Sequence, residues 1–119
     1  MERSRSISAL LEAINAHDPQ QIADCFAADY RCEMPLHPAR NFTGSGKVLE
    51  NWTALFAAVG GLEATVLRAV ATPDETWSEW EMTGTAPDGA TAVLGGPVIW
   101  TETDGAITWA RFYLERVDS

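Results

Sequence analysis

Basic residues are scarce in this chain. Eight lysines and arginines stand against seventeen aspartates and glutamates, a formal net charge of −9, and the eight are scattered singly. With no basic stripe to neutralise phosphates, nucleic acid is excluded as a partner. Cysteine is almost absent: Cys25 and Cys32 are too few for a disulfide framework and lack metal-type CxxC spacing, so both read as reduced structural thiols. No metal site and no cofactor are expected, because the chain shows no metal-ligand cluster, nucleophile elbow or phosphate-cradling glycine loop. Gly44-Ser45-Gly46-Lys47 is part of a Walker A sequence, but it follows a loop and the rest of the motif is missing. Apolar runs are short, none approaching the ~20 residues that span a bilayer. The opening Met1-Glu2-Arg3-Ser4-Arg5-Ser6-Ile7 enters an amphipathic pattern instead of an apolar leader. A cytoplasmic protein with no membrane partner is the expectation. Linkers and low-complexity stretches are also missing, so residues 1–119 read as one domain with one core.

What the chain does have is helical periodicity in its first half and alternation in its second. Ile7, Leu10, Leu11 and Ile14 recur at helical spacing, and Asp18-Pro19 supplies an N-cap with proline at the first helical position. A second helix carries Ile22, Cys25 and Phe26 inward and ends near Ala27-Ala28-Asp29, followed by a short strand from Tyr30 to Met34 that Pro35 stops. After a loop to Gly44, a third helix places Val48, Leu49, Trp52, Leu55, Phe56 and Val59 on one stripe, with Gly60-Gly61 as its stop. From Leu62 onward, turn signals at Pro73-Asp74, Pro87-Asp88-Gly89 and Asp104-Gly105 separate four strands of an antiparallel meander. Three helices followed by a long curved sheet define an α+β domain with the helices on one face.

Successive strand side chains point to opposite faces. In residues 75–84, Trp77, Glu79 and Glu81 share one face and Thr76, Ser78, Trp80 and Met82 the other; in the final strand Trp109, Arg111, Tyr113 and Glu115 oppose Thr108, Ala110, Phe112 and Leu114. Between them, Val98, Trp100 and Glu102 oppose Pro97, Ile99 and Thr101, with Gly95-Gly96 a candidate bulge. Burying Glu79, Glu81, Glu102 and Arg111 unpaired would cost several kcal/mol per ion. The apolar parity is therefore assigned to the helices. Trp77, Trp100, Trp109, Arg111 and Tyr113 then form an outward aromatic patch, the composition of an interface core, and predict a homodimer through the outer sheet face.

The segments Ala13-Ile14-Asn15-Ala16-His17-Asp18, Phe26-Ala27-Ala28-Asp29, Phe42-Thr43-Gly44 and Asp104-Gly105 with Ile107, in this order, resemble the nuclear transport factor 2-like superfamily. The resemblance is to the branch of SnoaL-like polyketide cyclases, ketosteroid isomerases and limonene epoxide hydrolases. It implies a cone-shaped, cystatin-like roll with an apolar pocket between helices and sheet, often dimeric through the outer face. Catalytic residues do not carry over. Where ketosteroid isomerases place their aspartate base, oxyanion-hole aspartate and first-helix tyrosine, this chain has Met34, Pro97 and Leu10, and Phe112 stands where the epoxide hydrolases have an aspartate.

The expected pocket lining is Met34, Asn51, Trp52, Ser78, Trp80, Met82, Ile99, Thr101, Ala110, Phe112 and Leu114, with Trp52, Ser78, Trp80 and Thr101 as hydrogen-bond donors. His37 sits in the loop that the resemblance places at the pocket mouth and is the one named acid–base candidate, since imidazole titrates near neutrality. His17 reads as a partner for a helix C-terminus and Glu33 as a surface carboxylate. The expected function is binding of a small, largely apolar molecule, with isomerisation, cyclisation or hydration as its chemistry. The alternative is a non-catalytic ligand-binding or dimerisation module.

Overall fold

The computed structural model describes residues 5–117; residues 1–4 of the opening segment, and 118–119, lie outside the described residues. Helix α1 (Arg5–Asn15) buries Ile7, Leu10, Ala13 and Ile14 as one stripe. Asp18 caps α2 (Pro19–Ala23), its carboxylate accepting the Gln21 N–H at 3.1 Å, with Pro19 at the first position. The corner between the helices is stapled to the sheet. The Asn15 side chain donates to the Ala64 carbonyl (3.0 Å) and accepts the Ala64 N–H (2.7 Å), imitating a strand neighbour. His17, at φ 55, donates from its ring to the Leu62 carbonyl (2.6 Å) and packs its face near Phe56. This histidine is a cross-link between elements and not simply the helix-dipole partner its position suggests.

Strand β1 (Phe26–Glu33) starts four residues earlier than the Ala27-Ala28-Asp29 pattern suggests, in place of a helix end. A ladder decides this against local preference: the Ile107 N–H donates to the Cys25 carbonyl at 3.0 Å, and Phe26 pairs with Ile107 in parallel. A 3₁₀ turn (Pro38–Arg40) and the two-residue β2 (Phe42–Thr43) lead to α3 (Ser45–Ala58). The meander follows as β3 (Gly60–Ala71), β4 (Thr76–Thr85), β5 (Thr91–Thr103) and β6 (Ala106–Phe112), then β7 (Glu115–Arg116). The Asp104-Gly105 turn has both residues at positive φ, 54 and 82, as a tight hairpin requires. Sheet order is β2-β1-β6-β5-β4-β3, with β7 also on β5; only β1–β6 is parallel. The three helices on this mostly antiparallel curved sheet are the α+β cone expected.

One strand faces the opposite way from its sequence reading. Gly95-Gly96 makes no bulge against β4: Thr76 opposes Trp100, Ser78 opposes Val98 and Trp77 opposes Ile99 without interruption. Since Ser78 and Trp80 point to the core, Val98 and Trp100 do too, and Trp100 is 0% exposed. Trp100 is a core residue and not part of an outer patch, whereas Ile99, Thr101 and Pro97 lie on the outer face. Glu102 misleads because it sits at the sheet's end, exposed to water, with its carboxylate accepting the Trp100 indole N–H (2.9 Å) and the Ser6 hydroxyl. A charge two residues along therefore costs nothing to solvate, while its neighbour is fully covered. A register shift after Thr101 likewise turns Ile107 inward with Ala110.

Truncating Trp100 to alanine is expected to cost about 3–5 kcal/mol in urea unfolding. Glu81→Ala, on the exposed side of β4, should stay within about 0.5 kcal/mol. Equal effects would reverse the assignment of faces.

Candidate functional site

A cavity of about 920 Å³ opens between α3 and the inner side of the sheet. It exists because α3 stands off. Of the apolar stripe on α3 only Val48 is buried; Trp52 and Leu55 are half-buried and line the space, while Leu49 and Phe56, also half-buried, pack against the core. The start of the helix is pinned to β1 by the Gly44 N–H, which donates to the Tyr30 carbonyl at 2.6 Å. Opposite α3, the wall comes from Phe26, Tyr30 and Cys32 of β1 and from Leu94, Phe112 and Leu114.

The loop from Met34 to Asn41 forms the rim. It is folded on itself: the Asn41 side chain accepts the Met34 N–H (2.7 Å), the His37 N–H donates to the Met34 carbonyl (2.9 Å), and the Arg40 N–H donates to the His37 carbonyl (2.8 Å). This holds His37 at the mouth, where its Nε2 lies 3.1 Å from Glu115 Oε2. Both groups, with Arg40, Lys47 and Asn51, line the cavity. Glu115 arrives there through a break in the final strand. After Phe112 pairs with Val98, the chain crosses Gly96 and resumes as β7 opposite Gly95 and Leu94. A Cβ on Gly96, whose φ is 145, would lie 2.3 Å from the Tyr113 carbonyl oxygen, so only glycine permits the crossing. The break ends strict alternation, and Leu114 and Glu115 both reach the cavity.

Deeper in, Tyr30 is 1% exposed and its hydroxyl has no hydrogen-bond partner among the described residues. The adjacent Cys32 thiol is a weak partner at best. Burial, and after it the neighbouring Cys32, push the Tyr30 phenol well above its usual range. Burial also pushes the Cys32 thiol up, against a smaller opposing pull from the Tyr30 hydroxyl. Both groups are neutral near pH 7. Cys32 is thus no thiolate nucleophile.

The SnoaL-like domain profile matches residues 7–110, most of the chain. The chain belongs to the SnoaL-like domain family. Solved SnoaL-like and related structures share its fold. A hypothetical protein with a ketosteroid isomerase-like fold from Catenulispora acidiphila, in complex with trimethylamine, is 16% identical over 94% of this chain and 87% of its own, with a TM-score of 0.83. TerC, co-crystallised with polyporic acid, is 18% identical over 92% and 88%, TM-score 0.77. An NTF2-like protein of unknown function from Burkholderia pseudomallei is 14% identical over 93% and 88%, TM-score 0.79. No curated protein matches the chain.

Within this SnoaL-like cavity the structure brings together His37, Met34, Asn51, Trp52, Phe112 and Leu114 of the residues named from sequence. Met34 and Phe112 fill with apolar side chains the positions where ketosteroid isomerases and epoxide hydrolases are expected to carry carboxylates. Trp80 and Met82 reach only a void of about 10 Å³ beside it, room for at most one water. Ser78 and Ala110 are packed in the core, the Ser78 hydroxyl accepting the Trp80 indole N–H at 2.7 Å. Ile99 and Thr101 leave the lining altogether, being on the other face. Sequence reasoning missed Glu115, Arg40, Lys47 and Tyr30. Strict alternation had assigned Glu115 to the outer face, and no local signal marks the break after Phe112. Glu33, read as a surface carboxylate, is half-buried and organised on the outer face: it accepts the Trp109 indole N–H at 3.1 Å and pairs with Arg111 at 3.3 Å.

The buried phenol and thiol make stability depend on alkaline pH with a definite sign. The folded chain keeps these protons to higher pH than the unfolded chain, so the stability they confer is present below the unfolded ranges, about 8.5 for thiol and 10 for phenol, and is lost as pH rises above them. Tyr30→Phe and Cys32→Ala should each flatten the fall of the urea midpoint between pH 8 and 11. At pH 7, Tyr30→Phe should be neutral or stabilising, because it deletes an unpartnered hydroxyl. An unchanged alkaline fall in both variants would remove the assigned cause.

Proposed function

We propose that this protein binds a small, largely apolar molecule in the cavity and moves a proton on it through the His37–Glu115 pair. The observation that carries this reading is the imidazole–carboxylate pair, 3.1 Å apart, on the polar rim of a cavity whose deeper wall is mostly apolar. With Glu115 accepting the Nε2–H, the Nδ1 lone pair is the base, and the imidazolium formed is stabilised by the carboxylate. The proton comes from a C–H or O–H of the bound molecule and returns to another of its atoms, as isomerisation or cyclisation requires, or from water in hydration. SnoaL-like relatives described as polyketide cyclases and ketosteroid isomerases support this class of chemistry.

Thermal unfolding against a library of hydrophobic metabolites tests the binding step. A ligand at 100 times its Kd adds about 2.7 kcal/mol of stability. Turnover of the hits should then fall roughly 10²–10⁴-fold in His37→Ala with binding retained. Absence of any stabilising compound would end the binding reading, and binding with no turnover would leave the non-catalytic module.

A homodimer through the outer sheet face is supported by a row in register across it: Val70, Trp77, Ile99, Arg111 and Glu33. Trp77 is 47% exposed in this row, with Trp109 and Tyr113 half-buried in the final segment and Arg111 lying 5.6 Å from the Tyr113 ring. Large exposed aromatics beside an arginine form the centre of interfaces more often than free surface. Sedimentation velocity should show a dimer that Trp77→Glu converts to a folded monomer. A monomeric wild type at tens of micromolar would reject it.

A further inference from the structure

We propose that the molecule bound in this cavity is an amphiphile with an acidic group, held at the mouth by Arg40 and Lys47, with its apolar body on Phe42, Trp52, Leu55 and Phe112. This rests on the cavity-binding reading and names the class of ligand within it. The distribution of charge is the starting point. In a chain with a net charge of −9, two of its eight cationic side chains and one of its two histidines line a single cavity. The one carboxylate that lines it among the described residues, Glu115, is already engaged by His37.

The two cations are available. Arg40 forms no ion pair with any described residue, and it is carried on a short turn between Pro38 and Asn41 that is closed by the His37 and Pro38 carbonyls. A guanidinium on such a constrained turn presents a fork suited to a carboxylate or an acidic enol or phenol. Lys47 reaches the mouth from the other side, at the first turn of α3. Its partner Glu50, at 3.0 Å, makes an exposed pair three residues apart, of the kind that contributes little and exchanges readily. The net charge of −9 disfavours anions in general, and an acidic ligand would find its complement at this rim and an apolar wall beneath it.

The test uses two probes with one body: 8-anilino-1-naphthalenesulfonate, and N-phenyl-1-naphthylamine, which lacks the sulfonate. Binding is followed by probe fluorescence at low salt in the wild type, in the double variant Arg40→Gln/Lys47→Gln, and in Leu55→Trp, which fills the cavity. In the double variant the Kd of the sulfonate should rise about tenfold or more, the loss of a charge-assisted contact, with that of the neutral probe unchanged. Added salt should weaken the sulfonate selectively in the wild type. A sulfonate Kd that is the same in wild type and double variant, with the neutral probe displaced by Leu55→Trp, overturns this proposal and leaves the cavity reading standing. If Leu55→Trp leaves both probes bound, or neither binds to wild type, the cavity reading itself fails and this proposal with it. Both rim side chains are exposed, and unchanged thermal unfolding of the double variant verifies its fold.

Discussion

The approach of the Tyr113 backbone to Gly96 is the constraint on which the site depends. Strand β5 is long enough to take two partners in turn, β6 along its second half and β7 near its middle. The chain can change from one alignment to the other only by passing directly over β5. It does so where a side chain is missing. Had the final strand run on in register, Leu114 and Glu115 would alternate between faces, and the imidazole of His37 would have no carboxylate to meet. A backbone contact with no chemistry of its own thus places the only carboxylate that lines the cavity among the described residues.

The same cone divides into a dry half and an open half, for reasons of anchoring. At the α1 end, Asn15 and His17 bond directly to the backbone of β3, drawing the helical corner onto the sheet, and the indoles of Trp80 and Trp100 fill the space with their N–H groups satisfied by Ser78 and Glu102. Close packing there leaves only a void of about 10 Å³. Helix α3 is tied to β1 at its start and otherwise presents a half-buried apolar face. Its stripe packs partly against the core, and toward β1 and the final strand the opposing side chains leave a gap. The cavity is what remains.

Polarity follows the same division. Inside, Tyr30 and Cys32 are held neutral by burial and serve as wall. The titratable and cationic groups His37, Arg40, Lys47 and Glu115 stand at the rim, where water can solvate them and a bound molecule could replace that water. Met34 and Phe112 contribute apolar surface to the wall below this rim.

Local pattern was enough for much of this. Asp18-Pro19 specifies a capped helix start, Asp104-Gly105 a tight hairpin, and the alternation of residues 76–82 one buried and one exposed face, because each depends on neighbours within a few residues. His37, Asn51, Trp52, Met34, Phe112 and Leu114 could be placed at a pocket from parity and from the family resemblance. Three things were decided only by contacts far along the chain. The pairing of Phe26 with Ile107 turned an apparent helix end into a strand, the unbroken ladder of β4 with β5 sent Trp100 inward, and the crossing at Gly96 delivered Glu115 to the cavity. Face and register are properties of a pair of strands. A single strand carries the alternation, but which of its two sets of side chains meets the core is settled by its neighbour.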